Sequence, residues 1–434
     1  MPKFFTCPTG TVDILPQDHS FYTFIKKIIR HRFRQAGFGR ITPPIFEEIG
    51  LFNRSLGSDS EILKKELYSF SDRQGREYAL RPELTTSVVR SFIENEMYKK
   101  VLPIELYYIE PCFRFERPKK NTQREFWQFG AEILGESDPA LDAQIIYIGH
   151  QILSDLQIFN NCELRINSIG NQIDQKRYME ALANFYAGKE RSLSAESKEK
   201  LAQKKYFDLL DPKTEDEEIL VQMAPKITDF LSEESKKFFD DTLEYLKIFN
   251  IDFTVDPTLF RLNNYYSHTI FEFKEKNIQN KILVGGRYDD LIEKMGGPQI
   301  GAVGFSAGLE RIINIMKKNE IKVPNKDHLQ IFLAATGNIA KKNALPILIK
   351  LREQGFHAVG VLGKSSMQTQ LEKAQKFNVP YTLLMGDLEV KKKQIIVRDM
   401  KTGKQKWIDI EKIVDYMKNL FSSLDSTVDF LGHE

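Results

Sequence analysis

ELYYIEPCFRFERPKKNTQREFWQFGAEIL (105–134) decides the fold. It reads as two strands, 105–116 and 125–134, joined by the basic loop RPKKNTQR (117–124). Side chains alternate across a strand. Tyr108, Glu110, Cys112, Arg114 and Glu116 therefore share one face of the first, and Phe126, Gln128, Gly130, Glu132 and Leu134 one face of the second. The opposite faces, with Tyr107, Ile109, Phe113 and Phe115 and with Trp127, Phe129, Ala131 and Ile133, read as core. Both strands thus turn an apolar side inward and a charged side toward something else. A sheet face turned to water satisfies the same pattern. Gly130, between Gln128 and Glu132, leaves open space that suits a pocket floor.

Upstream, the loop GTVDILP (10–16) precedes an amphipathic helix over about Ser20–Ala36. Phe21, Phe24, Ile25, Ile28, Ile29 and Phe33 recur at helical spacing, and Gly37 is a natural stop. ITPPIFEE (41–48) reads as a strand broken by two prolines, and ELYSFSD, RQG and REYALRPEL as a hairpin. Downstream, 170–245 is rich in Lys, Glu, Gln and Ser and reads as a mostly helical insertion. Strands return in RLNNYYSHTIFEF, KILVGGRY and GAVGFSAG, the last running into the helix LERIINIMKK. A βαβ rhythm then predicts a small parallel or mixed sheet with helices on both faces. The expected organisation is a first α+β module over 1–169 and 246–318, an insertion at 170–245, a linker at 319–327, an α/β domain at 328–420 and an acidic tail at 421–434.

The net charge of +2 conceals an uneven distribution. Residues 328–420 hold 16 Lys+Arg against 8 Asp+Glu, whereas 1–327 hold 46 against 49. A basic domain on a near-neutral chain is an electrostatic reason to expect a polyanionic partner, although a solvated lysine-rich surface gives the same count. No run of about 18 apolar residues occurs, so no membrane span is expected. MPKFFTCPTG lacks an apolar core of about 7–15 residues, so no signal peptide is expected. Cys7, Cys112 and Cys162 are far apart and show no CxxC spacing, which fits a reducing, cytoplasmic compartment.

AVGVLGKSS (358–366) falls one residue short of a phosphate-binding P-loop, because Ala358 stands where glycine is needed; a polar turn opening a helix is the plainer reading. No Ser–His–Asp arrangement and no metal-ligand cluster stands out, which disfavours hydrolytic nucleophile chemistry. Instead arginines recur at element edges: Arg81, Arg114, Arg117, Arg124, Arg261, Arg287 and Arg311. Guanidinium groups beside Glu and Gln on an antiparallel sheet suit a phosphate-bearing ligand, since phosphoryl and nucleotidyl transfer need positioning and positive charge.

These residues carry a resemblance. FRFERP followed by REFWQFGAEILG resembles the second signature motif of class II aminoacyl-tRNA synthetases, GFSAGLERI (304–312) the third and ITPPIFEE the first. Within that class the chain resembles the histidyl-tRNA synthetase family, in GTVDILP, ALRPELT, ERPKK, FWQFGAE, INSIG, RLNNYY, VGGRYDDL, GFSAGLER and IIVRDMKTG, in order along nearly the whole chain. The resemblance implies an α+β catalytic domain, an antiparallel sheet with flanking helices, carrying a helix-rich insertion and followed by a C-terminal α/β anticodon-binding domain. The implied activity is ATP-dependent activation of L-histidine to histidyl-adenylate, with pyrophosphate release, then transfer of histidine to the 3′ end of tRNA(His). ATP with Mg²⁺, L-histidine and tRNA(His) are the implied ligands, and a homodimer with no membrane association is the implied assembly. A carboxylate is already a nucleophile, so such a reaction needs cations rather than a general base.

By this resemblance Arg114 and Arg261 are catalytic cations at the α-phosphate, and Glu116 and Arg311 join Arg114 around ATP. Glu83, Thr85, Arg114, Gln128, Glu132, Arg261, Tyr265 and Tyr266 hold histidine: Glu83 and Thr85 at its α-amino end with Gln128 assisting, Glu132 and Tyr266 at its imidazole. A neutral imidazole has one N–H donor and one acceptor nitrogen, which a carboxylate and a tyrosine hydroxyl complement. Tyr265 and the Gly285–Gly286–Arg287–Tyr288 turn are expected to complete the wall. The chain departs from the family pattern at Leu84, at Thr122 and at Leu262-Asn263-Asn264. Two other readings are a non-catalytic paralogue that regulates the first enzyme of histidine biosynthesis and a tRNA-binding protein without activation chemistry. The first usually lacks the basic C-terminal domain and some of the arginines, both of which are present here.

Deleting residues 328–434 removes the excess of basic charge but none of the arginines assigned to ATP. The truncated protein is expected to keep adenylate formation, to charge tRNA far more slowly, and to bind tRNA with a shallower salt dependence because fewer counterions are released. Unchanged charging and salt slope in the truncated, folded protein would return the lysine-rich surface to a solvated role.

Overall fold

The computed structural model describes residues 5–57, 60, 62–116, 123–260, 265–276, 278, 280–324, 329–360 and 366–422. The chain divides into two compact units, Met1–Val323 and Pro324–Glu434.

In the first unit α1 (Pro16–Gln35) precedes β1 (Gly39–Arg40), β2 (Phe46–Glu48), α2 (Ile49–Leu56) and a hairpin of β3 (Ser69–Ser71) and β4 (Glu77–Leu80). α3 (Thr85–Glu94) leads to β5 (Ile104–Phe113), β6 (Glu125–Leu134) and α4 (Pro139–Asp155). After β7 (Cys162–Ser168) come α5 (Gln172–Tyr186), α6 (Ala195–Ala202), α7 (Glu215–Met223) and α8 (Glu233–Ile248). β8 (Thr254–Val255), β9 (Ser267–Glu275), β10 (Lys281–Arg287), α9 (Leu291–Lys294), β11 (Ala302–Gly308) and α10 (Leu309–Lys318) follow. α1 starts earlier than its apolar spacing predicts, because Pro16 is suited to a first helical turn, where the missing N–H costs nothing. It stops where expected: Gly37 takes φ +84°, a conformation open to glycine.

Eight strands form one sheet in the order β1-β5-β6-β11-β10-β9-β7-β8, antiparallel except for the parallel pairs at its two edges. α1, α4, α8 and α10 cover one face: Ile29 and Phe33, Ile146 and Ile152, Phe239 and Leu246, and Ile312 and Met316 pack on Tyr107, Ile109, Phe129, Ala131 and Phe273. The other face is not wholly given to ligand. Tyr108, Cys112 and Leu134 are buried there against Phe52 of α2 and Val88, Val89 and Phe92 of α3. β5 ends at Phe113, short of the predicted 116, and Phe115 is exposed with Arg124 over its ring at 4.0 Å.

The helical stretch 170–245 divides. Tyr178, Leu182 and Tyr186 of α5 share a separate core with Leu209, Leu220 and Val221, whereas α8 belongs to the main core through Phe239 and Leu246. Gly285 and Gly286 lie in extended strand, not in the expected turn: β10 pairs through both residues with β11 and β9. A Cβ on Gly285 would stand 2.5 Å from the Gly304 carbonyl, so close strand approach is what excludes a side chain. Two of the arginines read as ligand groups are buried scaffold. Arg81 donates to the carbonyls of Pro43, Pro44 and Pro111, tying the double-proline segment to β5. Arg287 is fully buried, with Nε donating to Asp142 at 2.9 Å and Nη1 to Asp289 at 3.0 Å.

The second unit has a five-stranded mixed sheet in the order β13-β12-β14-β15-β16, built from β12 (Ile331–Ala335), β13 (Ala358–Gly360), β14 (Tyr381–Met385), β15 (Gln394–Asp399) and β16 (Gln405–Asp409). The helices Asn338–Glu353 and Ile413–Ser422 pack on one face and Met367–Lys376 on the other. Residues 361–365 of the P-loop-like segment and the tail beyond 422 lie outside the described residues.

Removing one member of a buried ion pair strands the other charge. Asp142→Ala is expected to cost about 3 kcal/mol of unfolding free energy, because it leaves Arg287 with Asp289, the Ser137 hydroxyl and backbone carbonyls. Denaturant titration measures this, and a loss below about 1 kcal/mol would mean that the remaining acceptors suffice.

Candidate active site

One cavity of about 830 Å³ opens on the pocket face of the sheet. Strand register sets its floor. Gly130 of β6 pairs with Ser306 of β11, Ser306 with Val284 of β10, Val284 with Glu272 of β9, and Glu272 with Arg165 of β7. Ser306, Val284, Glu272 and Arg165 all line the cavity, as do Glu83, Thr85, Arg114, Gln128, Glu132, Tyr265 and Tyr266. Seven of the ten residues singled out from sequence thus meet in one space.

Glu132 is the most constrained of them, 1% exposed in mid-strand. Tyr288 donates to its Oε2 at 2.5 Å, and Thr85 and Tyr108 donate to its Oε1 at 2.8 and 3.3 Å. Burial pushes the Glu132 carboxyl up to about 8, against the opposing pull of these hydroxyls. A carboxylate has about four lone-pair positions, so three donors leave one acceptor for a ligand N–H. Gly304 makes room for it: a Cβ there would stand 1.7 Å from Oε2. The space expected beside Gly130 is filled, because a Cβ there would meet the Tyr108 hydroxyl at 2.4 Å. Thr85, expected at an α-amino group, gives its hydroxyl to Glu132. Glu83 accepts from the backbone N–H groups of Thr85 and Thr86 at 2.7 and 2.9 Å and so caps the start of α3. Gln128 is buried and accepts from the Cys112 thiol. The rings of Tyr265 and Tyr266 lie 4.7 Å apart, and Tyr265 stands edge-on to Tyr288.

Arg114 marks the other end. Its Nε donates to the Pro82 carbonyl at 2.8 Å, and its guanidinium lies 5.4 Å from the Phe126 ring and 3.9 Å from Glu116. Arg311 donates to the Lys281 carbonyl, and burial holds its pKa below the usual value while Glu116 raises it and Arg114 lowers it further. Glu116 and Arg311 do not line the cavity but adjoin Arg114 at its edge. Arg261, with Leu262, Asn263 and Asn264, lies outside the described residues, as do Arg117 and Thr122. Glu310 accepts from the Trp127 backbone N–H and the Tyr22 hydroxyl, joining α10 to β6 and α1.

Sequence reasoning missed Tyr108 and Tyr288 as donors to Glu132, and Arg165, Glu272 and Lys281 as lining groups. Alternation already set Tyr108 on the side of Glu132. What it lacked was the register, in which Leu106 faces Glu132 and Tyr108 faces Gly130.

The histidyl-tRNA synthetase family model matches residues 10–312, and an anticodon-binding domain model matches 330–420. The histidine–tRNA ligase of Halothermothrix orenii is 38% identical over 416 residues, 95% of this chain and 99% of the relative. That of Bacillus licheniformis is 35% identical, covering 95% and 98%. The apo histidyl-tRNA synthetase of S. aureus superposes with a TM-score of 0.79 at 30% identity, covering 96% of this chain and all of that one. The antiparallel sheet, its flanking helices and the three motif segments define a class II aminoacyl-tRNA synthetase catalytic domain. The α/β unit that follows is an anticodon-binding domain. The chain belongs to the histidyl-tRNA synthetase family.

With burial pushing its pKa up to about 8, Glu132 is largely protonated at neutral pH, and it accepts an imidazole N–H best when ionised. Histidine affinity is expected to rise between about pH 7 and 8.5, where the ligand's imidazole stays mostly neutral. Glu132→Gln should flatten that rise. Calorimetric titration over this range measures it, and an equal slope in both proteins would remove Glu132 as the titrating reader.

Proposed function

We propose that this protein is a histidine–tRNA ligase that works as a cytoplasmic homodimer. It activates L-histidine with ATP and passes the histidyl group to the 3′ end of tRNA(His). The observation that carries the reading is the coincidence of a buried, hydroxyl-ringed Glu132 and a cationic Arg114 in one cavity. The first group reads a neutral side chain that has an N–H donor. The second supplies charge where a phosphate reacts.

In the first step the histidine carboxylate attacks the α-phosphorus, the bond to the bridging oxygen breaks, and pyrophosphate leaves with the electron pair. Arg114 and Arg261 stabilise the charge on the pentavalent centre, an electrostatic role in which a fixed donor contributes about 10²–10³ in rate. Arg311 and Glu116 hold the nucleotide beside Arg114. Glu132 and Tyr266 read the imidazole, Glu83, Thr85 and Gln128 line the α-amino end, and Tyr265 closes the wall. A site that hydrogen-bonds its substrate rejects apolar side chains strongly, because they leave buried polar groups unpaired.

Mg²⁺ keeps several waters and binds through one or two carboxylates plus substrate phosphates. Among the described residues no cluster of three His, Cys, Asp or Glu side chains could hold a metal ion. The wall instead has Glu272, 3.6 Å from Lys281 Nζ. A single carboxylate of this kind fits a Mg²⁺ that arrives on ATP, where it would neutralise phosphate charge. The basic unit from Pro324 onward takes the tRNA, and the segment around β2 forms the dimer contact. Among the described residues no helix is long and apolar enough to cross a membrane.

Histidine-dependent exchange between ATP and pyrophosphate, without tRNA, is the expected activity. Its absence from well-folded protein, across the other amino acids as well, would favour the non-catalytic readings.

A further inference from the structure

Glu132 is placed by the sheet, but the other imidazole reader, Tyr266, stands where the sheet is interrupted. β9 pairs Ile270 with Gly286 but Ser267 with Arg287, so the register with β10 skips His268 and Thr269. A bulge of this kind re-aims the side chains beside it. His268 takes φ +47° there; its N–H donates to the Gly170 carbonyl and its carbonyl accepts from the Ile169 N–H, both at 2.8 Å. The carbonyl of Tyr266 accepts from a side chain of the helical module, Gln175 Nε2 near the start of α5, at 3.1 Å. The half-buried Tyr266 itself packs on two cores, the one that holds Tyr265 and Tyr288 and the one that holds Tyr178 and Leu182 of α5.

We propose that Gln175 is a positioning residue for histidine recognition, holding the Tyr266 backbone so that its hydroxyl meets the imidazole; the inference rests on the ligase reading above. The helix does not need Gln175 for its own start. Asn171 and Asp174 already form a capping box, and the buried Asp174 also accepts from the Ser232 N–H at 2.9 Å, which fixes α5 against the start of α8. Gln175 therefore extends from an anchored helix. A side-chain amide has two N–H donors. Nε2 of Gln175 also lies 3.4 Å from the Gly170 carbonyl, so one amide spans both chains of the bulge. Gln172, three residues earlier and on the same helix face, donates to Asp290 at 2.6 Å, two residues past Tyr288. One face of α5 thus grips the chain beside both pocket tyrosines. The Tyr266 hydroxyl is the far end of a rigid side chain, so a small tilt of its backbone moves it by more, and a hydrogen bond weakens steeply as it bends. Losing the Gln175 amide should then weaken the hold on histidine and leave the nucleotide groups around Arg114 as they are.

The test is histidine-dependent exchange between ATP and pyrophosphate on full-length protein, with KM for histidine, KM for ATP and kcat measured separately. Gln175→Met keeps an unbranched side chain but removes the donor. Gln175→Glu keeps the shape but sets oxygens against the carbonyl. In each, with a thermal melt matching the parent, KM for histidine is expected to rise about fivefold, the scale of one lost hydrogen bond, while kcat and KM for ATP stay within about twofold. A purely structural role would not confine the loss to histidine. Both substitutions are then repeated on Tyr266→Phe, which lacks the hydroxyl. If Gln175 acts through that hydroxyl, its loss should now change KM for histidine less than about twofold, because coupled residues are not additive. A histidine KM unchanged in both single variants, a fall in kcat instead, or an undiminished fivefold rise on the Tyr266→Phe background overturns the positioning role. Absence of exchange in the unmutated protein overturns the ligase reading itself, whereas normal exchange with any of those three results overturns Gln175 alone.

Discussion

A carboxyl group buried in the middle of a sheet constrains everything around it. Water cannot satisfy Glu132, so the protein must, and it does so with hydroxyls from β5, from the start of α3 and from the residue after β10. Each donor fixes its own element. Tyr108 needs Gly130 opposite it, and Glu132 needs Gly304 beneath it. The order β5-β6-β11-β10 is therefore both a hydrogen-bonded ladder and the frame of a polar site. An incompletely satisfied buried network costs more than an apolar core would, which makes the arrangement specific as well as stable.

Behind this frame stands a second buried polar assembly. Arg287 is the last residue of the pocket strand β10 and is clamped by Asp142 of α4 and by Asp289. Its neighbour Tyr288 is the Glu132 donor. A guanidinium in the interior thus fixes the backbone from which a pocket hydroxyl projects. Adjacent residues of one strand end divide scaffold from site by facing opposite ways.

Much of this was legible in the sequence, and the failures have physical causes. Alternation in 105–134 assigned the core face correctly through Tyr107, Ile109, Phe129 and Ala131. It could not say that the other face would also be partly packed, because α2 and α3 are brought over Tyr108 and Cys112 by tertiary contacts. Glycine pairs are ambiguous in one dimension. Gly285-Gly286 read as a turn, yet strand packing is what demands them, against the Gly304 carbonyl and Phe271 at Gly285 and the Thr269 carbonyl at Gly286. Arginine is ambiguous too: Arg114 faces the cavity, while Arg81 and Arg287 vanish into the scaffold. Only the partners distinguish them: Pro111 lies 30 positions from Arg81, and Asp142 lies 145 from Arg287.

Sequence distance has a consequence for the nascent chain. Glu132 and Tyr288 are 156 positions apart, and β11, which pairs with β6, is made later still. While the ribosome is still translating the helical stretch α5–α7, β6 has neither β11 beside it nor Tyr288 above it. Its carboxyl can then keep its water, and the strand exposes an unpaired edge of the kind that invites wrong partners. The central sheet closes only after residue 308 emerges, so a ligand that depends on Glu132 finds no complete site until nearly the whole first unit has been made.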